Sequence, residues 1–308
     1  MRLFARKSPR DLLVRSLFFL PKKQRTYFNR WLRGRHEYKK LLGAGCVIVS
    51  APKSGRTWLR TMLTRFYQVR FHIDKMELVG FYNFHKYHPE IPRIFFTHDN
   101  YIRDYTGNSD NKSDFYDKKV VLLVRDPRDV VVSAYFHTKY RSNPVKVDLR
   151  DMEVGPDGPP IFEFAMFRLP RIIEFLNAWS REIPNLPDIL VVRYEDLMAN
   201  PADCLERILQ FLGMPGEREE IAEAVRFAQF ANMRGLEAGA AFGSTDRRIT
   251  PGDPKNPQSF KVRRAKVGGY RDYFPDEQVR EIDDLVATRL APEFGYGGMP
   301  VHAGQDPQ

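Results

Sequence analysis

A chain of 308 residues with 43% hydrophobic content can bury one large core, and its two cysteines leave no room for a disulfide framework. Cys46 and Cys204 sit in apolar patterns and read as buried small residues, so a reducing, cytoplasmic setting is expected and a metal site is not. The net charge is +10, but residues 1–40 hold 13 Lys or Arg against Asp11 and Glu37, so the rest of the chain stands at −1 and the basicity belongs to an arm.

That arm, taken as residues 1–42, also contains Leu12, Leu13, Val14, Leu17, Phe18, Phe19 and Leu20, then Tyr27, Phe28, Trp31 and Leu32. The apolar run is shorter than the roughly 20 residues that span a bilayer, and Arg15 interrupts it. Pro21-Lys22-Lys23 stands where a signal peptide would carry a small-residue cleavage site. Two readings stay open: a basic amphipathic helix lying on the anionic inner face of a membrane, or a helix packed on the domain with a solvated basic face. Nucleic acid is not an expected partner.

In chain order, the β-branched run Val47–Ser50 reads as a buried strand that breaks at Ala51-Pro52. Lys53, Ser54 and Gly55 follow, and a helical pattern runs from Thr57 and Trp58 through Leu59, Met62, Leu63, Phe66 and Tyr67. A strand, a glycine turn and a helix N-terminus in that order form an anion site, because turn and first-turn N–H groups and the helix dipole all favour negative charge. Residues 68–90 carry no assignment. A second strand is expected over 91–97, ending at His98-Asp99-Asn100, and a third over 119–124. A helix then starts with Asp126 as N-cap and Pro127 as its first residue.

Residues 141–160 read as a loop, 161–181 as a helix, and 188–194 as a fourth buried strand closed by Tyr194. A capped helix from Asn200-Pro201 to about Gly213, a helix over 217–233, and a last helix over 275–290 complete the regular elements. The Gly-, Ala- and Pro-rich segment 234–262 suits a lid or substrate loop. The domain is expected over 43–298, and residues 299–308 read as a disordered tail. Strands alternating with helices predict an α/β, P-loop-like three-layer fold with a central parallel sheet flanked by helices and the basic helical arm appended.

The loop at 53–58 is not a nucleoside-triphosphate P-loop, which requires Lys after the second glycine, whereas Lys53 precedes Gly55. A kinase or NTPase of related fold is therefore the weaker reading. Arg125, at the end of the third strand, is followed eight residues later by Ser133 on the next helix, and both side chains could meet one phosphate. Arg263-Arg264-Ala265-Lys266-Val267-Gly268-Gly269 is a basic, glycine-containing loop suited to a second phosphate.

Together these residues resemble the PAPS-dependent sulfotransferases, which move a sulfonate from 3′-phosphoadenylyl sulfate to a hydroxyl or amine. The pieces are Pro52-Lys-Ser-Gly-Arg-Thr-Trp58, Arg93-Ile-Phe-Phe-Thr-His98, Val124-Arg-Asp-Pro-Arg-Asp-Val-Val-Val-Ser133, Tyr194-Glu-Asp-Leu followed by Asn200-Pro201, and Arg263 through Phe274, in the family's order over about residues 45–290. The resemblance implies that Lys53, Ser54, Gly55, Arg56, Thr57 and Trp58 hold the 5′-phosphosulfate, with Trp58 also against the adenine. It implies that Arg125, Ser133, Arg263, Arg264 and Ala265 hold the 3′-phosphate. Tyr194, Phe230 and Met233 would border the base, and His98 matches the general base of the small-molecule branch.

Histidine, with an unperturbed pKa near 6.5, suits removal of an acceptor proton at neutral pH, and Lys53 can stabilise charge developing on the leaving oxygen; no metal is required. Four positions depart from the family pattern, the first being Arg56, where a Thr is common. Phe96 stands where the small-molecule branch usually carries lysine, Ala265 replaces a glycine, and Tyr270 replaces a tryptophan. The expected acceptor is a small hydroxylated molecule, a lipid or a saccharide. A catalytically silent, membrane-associated nucleotide-binding protein is the remaining alternative.

Overall fold

The computed structural model describes residues 9–141, 158–243 and 249–297. Four strands, β1 Cys46–Ser50, β2 Ile94–Thr97, β3 Val120–Val124 and β4 Ile189–Arg193, form one sheet in the order β2-β1-β3-β4. β1 and β2 run parallel, with Cys46 opposite Ile94 and Val49 opposite Thr97. All five residues of β1 and of β3 are buried, as strands covered by helices on both faces must be. The α/β architecture with a parallel sheet and flanking helices is the expected one.

The chain divides into two compact units. The first comprises Met1–Val49, Gly80–Val121 and Asn185–Ile189. Within it, α1 spans Pro9–Ser16, α2 spans Lys22–Leu42, α4 spans Asn83–Tyr87 and α5 spans Ile102–Thr106. α2 packs on α5: Trp31 and Tyr38 lie against Tyr105, Arg30 pairs with Asp104 at 2.8 Å, and Arg30 and Arg33 both lie over the Tyr101 ring. Gly34 is what permits this approach, since a Cβ there would stand 2.2 Å from the Tyr101 carbonyl oxygen.

The second unit comprises Ser50–Val79, Leu122–Pro184 and Leu190–Gln308. Its helices are α3 Arg56–Arg70, α6 Pro127–Arg141, α7 Ile161–Glu182, α8 Tyr194–Ala199, α9 Pro201–Phe211, α10 Arg218–Phe227, α11 Phe230–Ala238 and α12 Asp276–Arg289. α3 and α10 are joined by Arg65 with Glu223 and by Arg70 with Glu220, around the buried Phe66. α6 meets α7 through an edge contact of Tyr135 on Phe164, with ring centroids 5.4 Å apart. Asp126 caps α6 as expected, its Oδ1 accepting from the Arg128 N–H at 2.9 Å. Cys46 and Cys204 are buried free thiols, and burial pushes Cys46 up to about 12.

Several expectations need correction. The helix expected over 217–233 is two helices, α10 and α11, with Ala228 and Gln229 between them. The second continues to Ala238, so the start of the expected loop 234–262 is helical despite Gly235. Its apolar period survives the break, which is why the sequence reads as one helix. The fourth strand lies at the sheet's edge with only Val192 buried, and Tyr194 opens α8 instead of closing β4. Asn200 makes no side-chain cap, so Pro201 alone marks the start of α9. The second strand begins at Ile94, later than expected. The loop expected at 141–160, from residue 142 to 157, lies outside the described residues, as do 244–248 and the expected tail.

Gly34→Ala should destabilise the protein by about 1–3 kcal/mol, the usual cost of forcing an atom into a filled contact. Thermal unfolding followed by circular dichroism measures this. A melting temperature equal to that of the wild type would contradict the packing of α2 on α5.

Candidate active site

β1 feeds directly into the loop that carries the anion-site residues. Two positions there take left-handed backbone angles, Lys53 at φ 77° and Gly55 at φ 87°, and Gly55 is the residue immediately before α3. Gly55 has a second reason to be glycine: a Cβ would lie 2.5 Å from Cδ2 of Tyr194. Lys53 carries a side chain in a conformation that costs on the order of 1–3 kcal/mol, a strain of the kind that collects at functional sites. Ser54 is 1% exposed and its Oγ has no hydrogen-bond partner. A buried hydroxyl left unpaired beside a helix N-terminus suits an anionic oxygen.

Arg125 closes the other side of this loop. Its Nη1 donates to the Lys53 carbonyl at 3.1 Å, its guanidinium lies 4.2 Å from the centre of the Tyr194 ring, and Asp129 is 3.7 Å away. The Tyr194 ring thus meets both the glycine of the loop and the arginine that follows β3. Ser133 is half-buried about two turns into α6. Trp58 meets Tyr194 edge-on at 6.0 Å and donates its indole N–H to the Ala228 carbonyl at 2.7 Å. Met233 is buried in a cluster with Leu78, Phe242 and Ile249, and Trp58 packs against that cluster. Phe230, at the start of α11, is 42% exposed and free to meet a flat ligand. Arg263 stacks on Phe136 at 4.0 Å, Arg264 pairs with Asp272 at 2.6 Å, and Ala265 adopts φ 49°, which suits the glycine it replaces.

Every candidate from Lys53 to Ala265 except His98 therefore belongs to the second unit. His98 belongs to the first, half-buried directly after β2. The turn that carries it is tied on both sides. Thr97 donates its hydroxyl to Glu37 at 3.0 Å and accepts from the Asp99 N–H at 2.9 Å, and Asp99 pairs with Lys112 at 2.6 Å.

Positive charge is concentrated around Lys53. Burial, then Arg141 and Arg125, lower its pKa to about 7, with Glu237 opposing in part and Arg263 adding to the fall. Lys261 is depressed well below its ordinary range by burial and by Lys53, Arg141, Arg56 and Arg60. An anion bound there would raise the pKa of both. Lys261, Arg141, Glu237 and Asp129 were not recognisable in the sequence as site residues. Each looks like an ordinary helix or loop residue, and only Lys261, two places before Arg263, carried any positional hint. The related NTPase reading has no support at the end of β3: both Asp126 oxygens are taken by Arg128, at 2.9 and 2.7 Å. No cluster of His, Cys, Asp and Glu suited to a metal occurs among the described residues.

Comparison with known proteins gives a consistent answer. The sulfotransferase domain family matches residues 45–292. The chain is 26% identical over 262 residues to cytosolic sulfotransferase 17 of Arabidopsis thaliana, a match covering 79% of this chain and 73% of the relative. It is 25% identical over 261 residues to a 3-alpha-hydroxysteroid sulfotransferase of Cavia porcellus, covering 80% and 83%. A mouse sulfotransferase solved in complex with PAP shares the fold, with a TM-score of 0.54, 20% identity, and coverage of 82% of this chain and 86% of that one.

Competitive labelling with acetic anhydride, read by mass spectrometry across a pH series, should show Lys53 reacting with a midpoint within about one unit of 7 in the ligand-free protein. Surface lysines should titrate near 10.4. A Lys53 midpoint near theirs would contradict the charge crowding described above.

Proposed function

This chain belongs to the sulfotransferase family, and from that premise we propose that it transfers a sulfonate from PAPS to a hydroxyl of a small acceptor, with residues 43–298 as the catalytic domain. The observation that carries the donor assignment is the crowding of Lys53, Arg125, Arg141, Lys261 and Arg263 around a loop whose buried Ser54 hydroxyl is unpaired. Such a charge excess fits a ligand with several anionic groups, and the mouse relative was solved with PAP, the product left once PAPS has given up its sulfonate.

In this reading Ser54 to Thr57 hold the 5′-phosphosulfate from the N-terminus of α3, and Arg125, Ser133 and the loop 263–265 hold the 3′-phosphate. The adenine lies among Trp58, Tyr194, Phe230 and Met233, with the indole fixed by the Ala228 carbonyl. His98 takes the proton from the acceptor hydroxyl as its oxygen bonds to sulfur. The bond from sulfur to the phosphate oxygen breaks, and Lys53 offsets the charge gained by that oxygen. A lysine whose pKa lies at about 7 and would rise beside a bound anion suits that part. Phe96, half-buried in β2, stands where the family usually places a cation.

The acceptor class we favour is a small hydroxylated molecule, in keeping with the steroid substrate in the name of the Cavia porcellus relative; lipid and saccharide acceptors carry no specific observation. A cytoplasmic setting follows from the likeness to relatives named cytosolic. No helix among the described residues is long and apolar enough to cross a membrane. For the arm, the packing of α2 on α5 supports the docked-helix reading over most of its length. Peripheral membrane contact then falls to the stretch where Phe18 and Phe19 are 78% and 68% exposed and Lys22 and Lys23 follow on the surface.

His98→Ala should lower kcat by about 10²- to 10⁴-fold, the usual worth of a general base, while leaving the affinity for 3′,5′-ADP within about twofold. Turnover with labelled PAPS and isothermal titration read the two quantities. Tight binding of ATP with none of 3′,5′-ADP would overturn the donor assignment. Vesicle flotation tests the arm: a Phe18→Ser, Phe19→Ser double variant should lose binding to anionic phosphatidylserine vesicles, and wild type that fails to float with them would end the membrane reading.

A further inference from the structure

Two buried carboxylates grip the backbone on either side of the basic loop. On the N-terminal side, Glu237 of α11 is wholly buried and accepts the N–H of Lys261 at 2.6 Å and of Val262 at 3.0 Å. Its charge is met by Arg141, the last residue of α6, at 2.6 Å, and Arg141 also donates to the Ser259 carbonyl at 2.8 Å. On the C-terminal side, Asp129 of α6 is 4% exposed and accepts the N–H of Gly268 and of Tyr270, each at 2.9 Å. Five residues span the gap: Arg263, Arg264, Ala265, Lys266 and Val267. Arg234 of α11 donates to the carbonyls of Val262 and Arg263 at 3.1 and 3.3 Å, and Arg264 and Lys266 both lean on Asp272.

We infer that Glu237 and Asp129 are positioning residues that hold the strap 263–267 in its ligand-binding form before any ligand arrives. The donors they engage are main-chain N–H groups, so the constraint acts on the path of the loop and uses neither the Arg263 side chain, which stacks on Phe136, nor that of Arg264, which pairs with Asp272. Both carboxylates are also tied to cations that line the site, Glu237 to Arg141 and Asp129 to Arg125, so strap and anion loop are set by the same two acids. A buried carboxylate taking two backbone N–H groups and facing a guanidinium has both oxygens engaged, whereas removal of its charge strands the arginine and frees the loop. A loop already in place does not lose its freedom upon binding, so affinity for the nucleotide gains without any added contact.

The inference takes its ligand from the donor assignment above, but the clamp is a property of the chain alone, and hydrogen exchange reads it without ligand. In the ligand-free full-length protein, the amides of Lys261, Val262, Gly268 and Tyr270 should exchange at least about 100-fold more slowly than in an unstructured peptide. Glu237→Gln should speed exchange of the first two and Asp129→Asn of the last two, each by about tenfold or more. Both variants should raise KM for PAPS and the Kd of 3′,5′-ADP by about 10- to 100-fold, with kcat changed less than about threefold. Glu237→Gln combined with Arg141→Met removes the stranded charge, and should restore folding if the single variant lacks it while leaving the strap unprotected. Unprotected amides in the ligand-free wild type, becoming protected only when 3′,5′-ADP is added, would overturn the inference and make the strap a closing lid. Equally, variants with freed amides and unchanged Kd would overturn it. Slow exchange in a wild type that binds no 3′,5′-ADP would keep the clamp and reject the nucleotide.

Discussion

Repulsion among like charges is the constraint around which the second unit is arranged. Lys53, Arg125, Arg141, Lys261 and Arg263 converge on one loop, and burial together with this crowding lowers the pKa of both lysines. Glu237 and Asp129 meet two of the arginines and, through the same oxygens, the backbone of the strap. The acids are too few to neutralise the group, and that shortfall is the driving force for taking up a multiply charged anion. Stability and ligand affinity therefore pull against each other at this site, as is common where a protein must stay receptive to charge.

Much of the architecture was legible because its signals are local. The β-branched run before Ala51-Pro52, the Asp126-Pro127 start of α6, and the long apolar period of α7 all record the secondary structure they adopt. The turn at 53–55 was legible too, since a strand, a glycine and a helix start must follow one another in sequence. What stayed hidden depends on contacts between distant segments. Glu237 lies on a short amphipathic helix like any other, and its meeting with Arg141, 96 residues earlier in the chain, leaves no trace in either neighbourhood. The edge position of β4 was hidden for the same reason: an apolar run such as Ile189–Val192 can serve a central or an outer strand, and only the sheet order decides.

The departures from the family pattern gain physical meaning from the geometry. Ala265 occupies a left-handed position where glycine would cost nothing, so the chain bears a small local strain inside the strap. Tyr270, in place of tryptophan, is buried; its N–H goes to Asp129 and its hydroxyl to Asp283, which also pairs with Arg128 and Arg271. A hydroxyl at this position joins the strap to α12 through a polar network that an indole could not complete in the same way. These substitutions alter how the loop is supported and leave its cations in place.

The break at Ala228-Gln229 has a consequence of its own. α10 ends and α11 restarts two residues later, and the carbonyl at the junction is the one that fixes Trp58. The two helices are therefore held in a set angular phase by a spacer of fixed length. Each residue of helix turns the chain by about 100°, so adding or losing one residue there would swing Met233 out of its cluster and Glu237 away from the strap together. A junction that looks like a permissive place for insertions is thus the timing mark that keeps Met233 in its cluster and Glu237 on the strap at once.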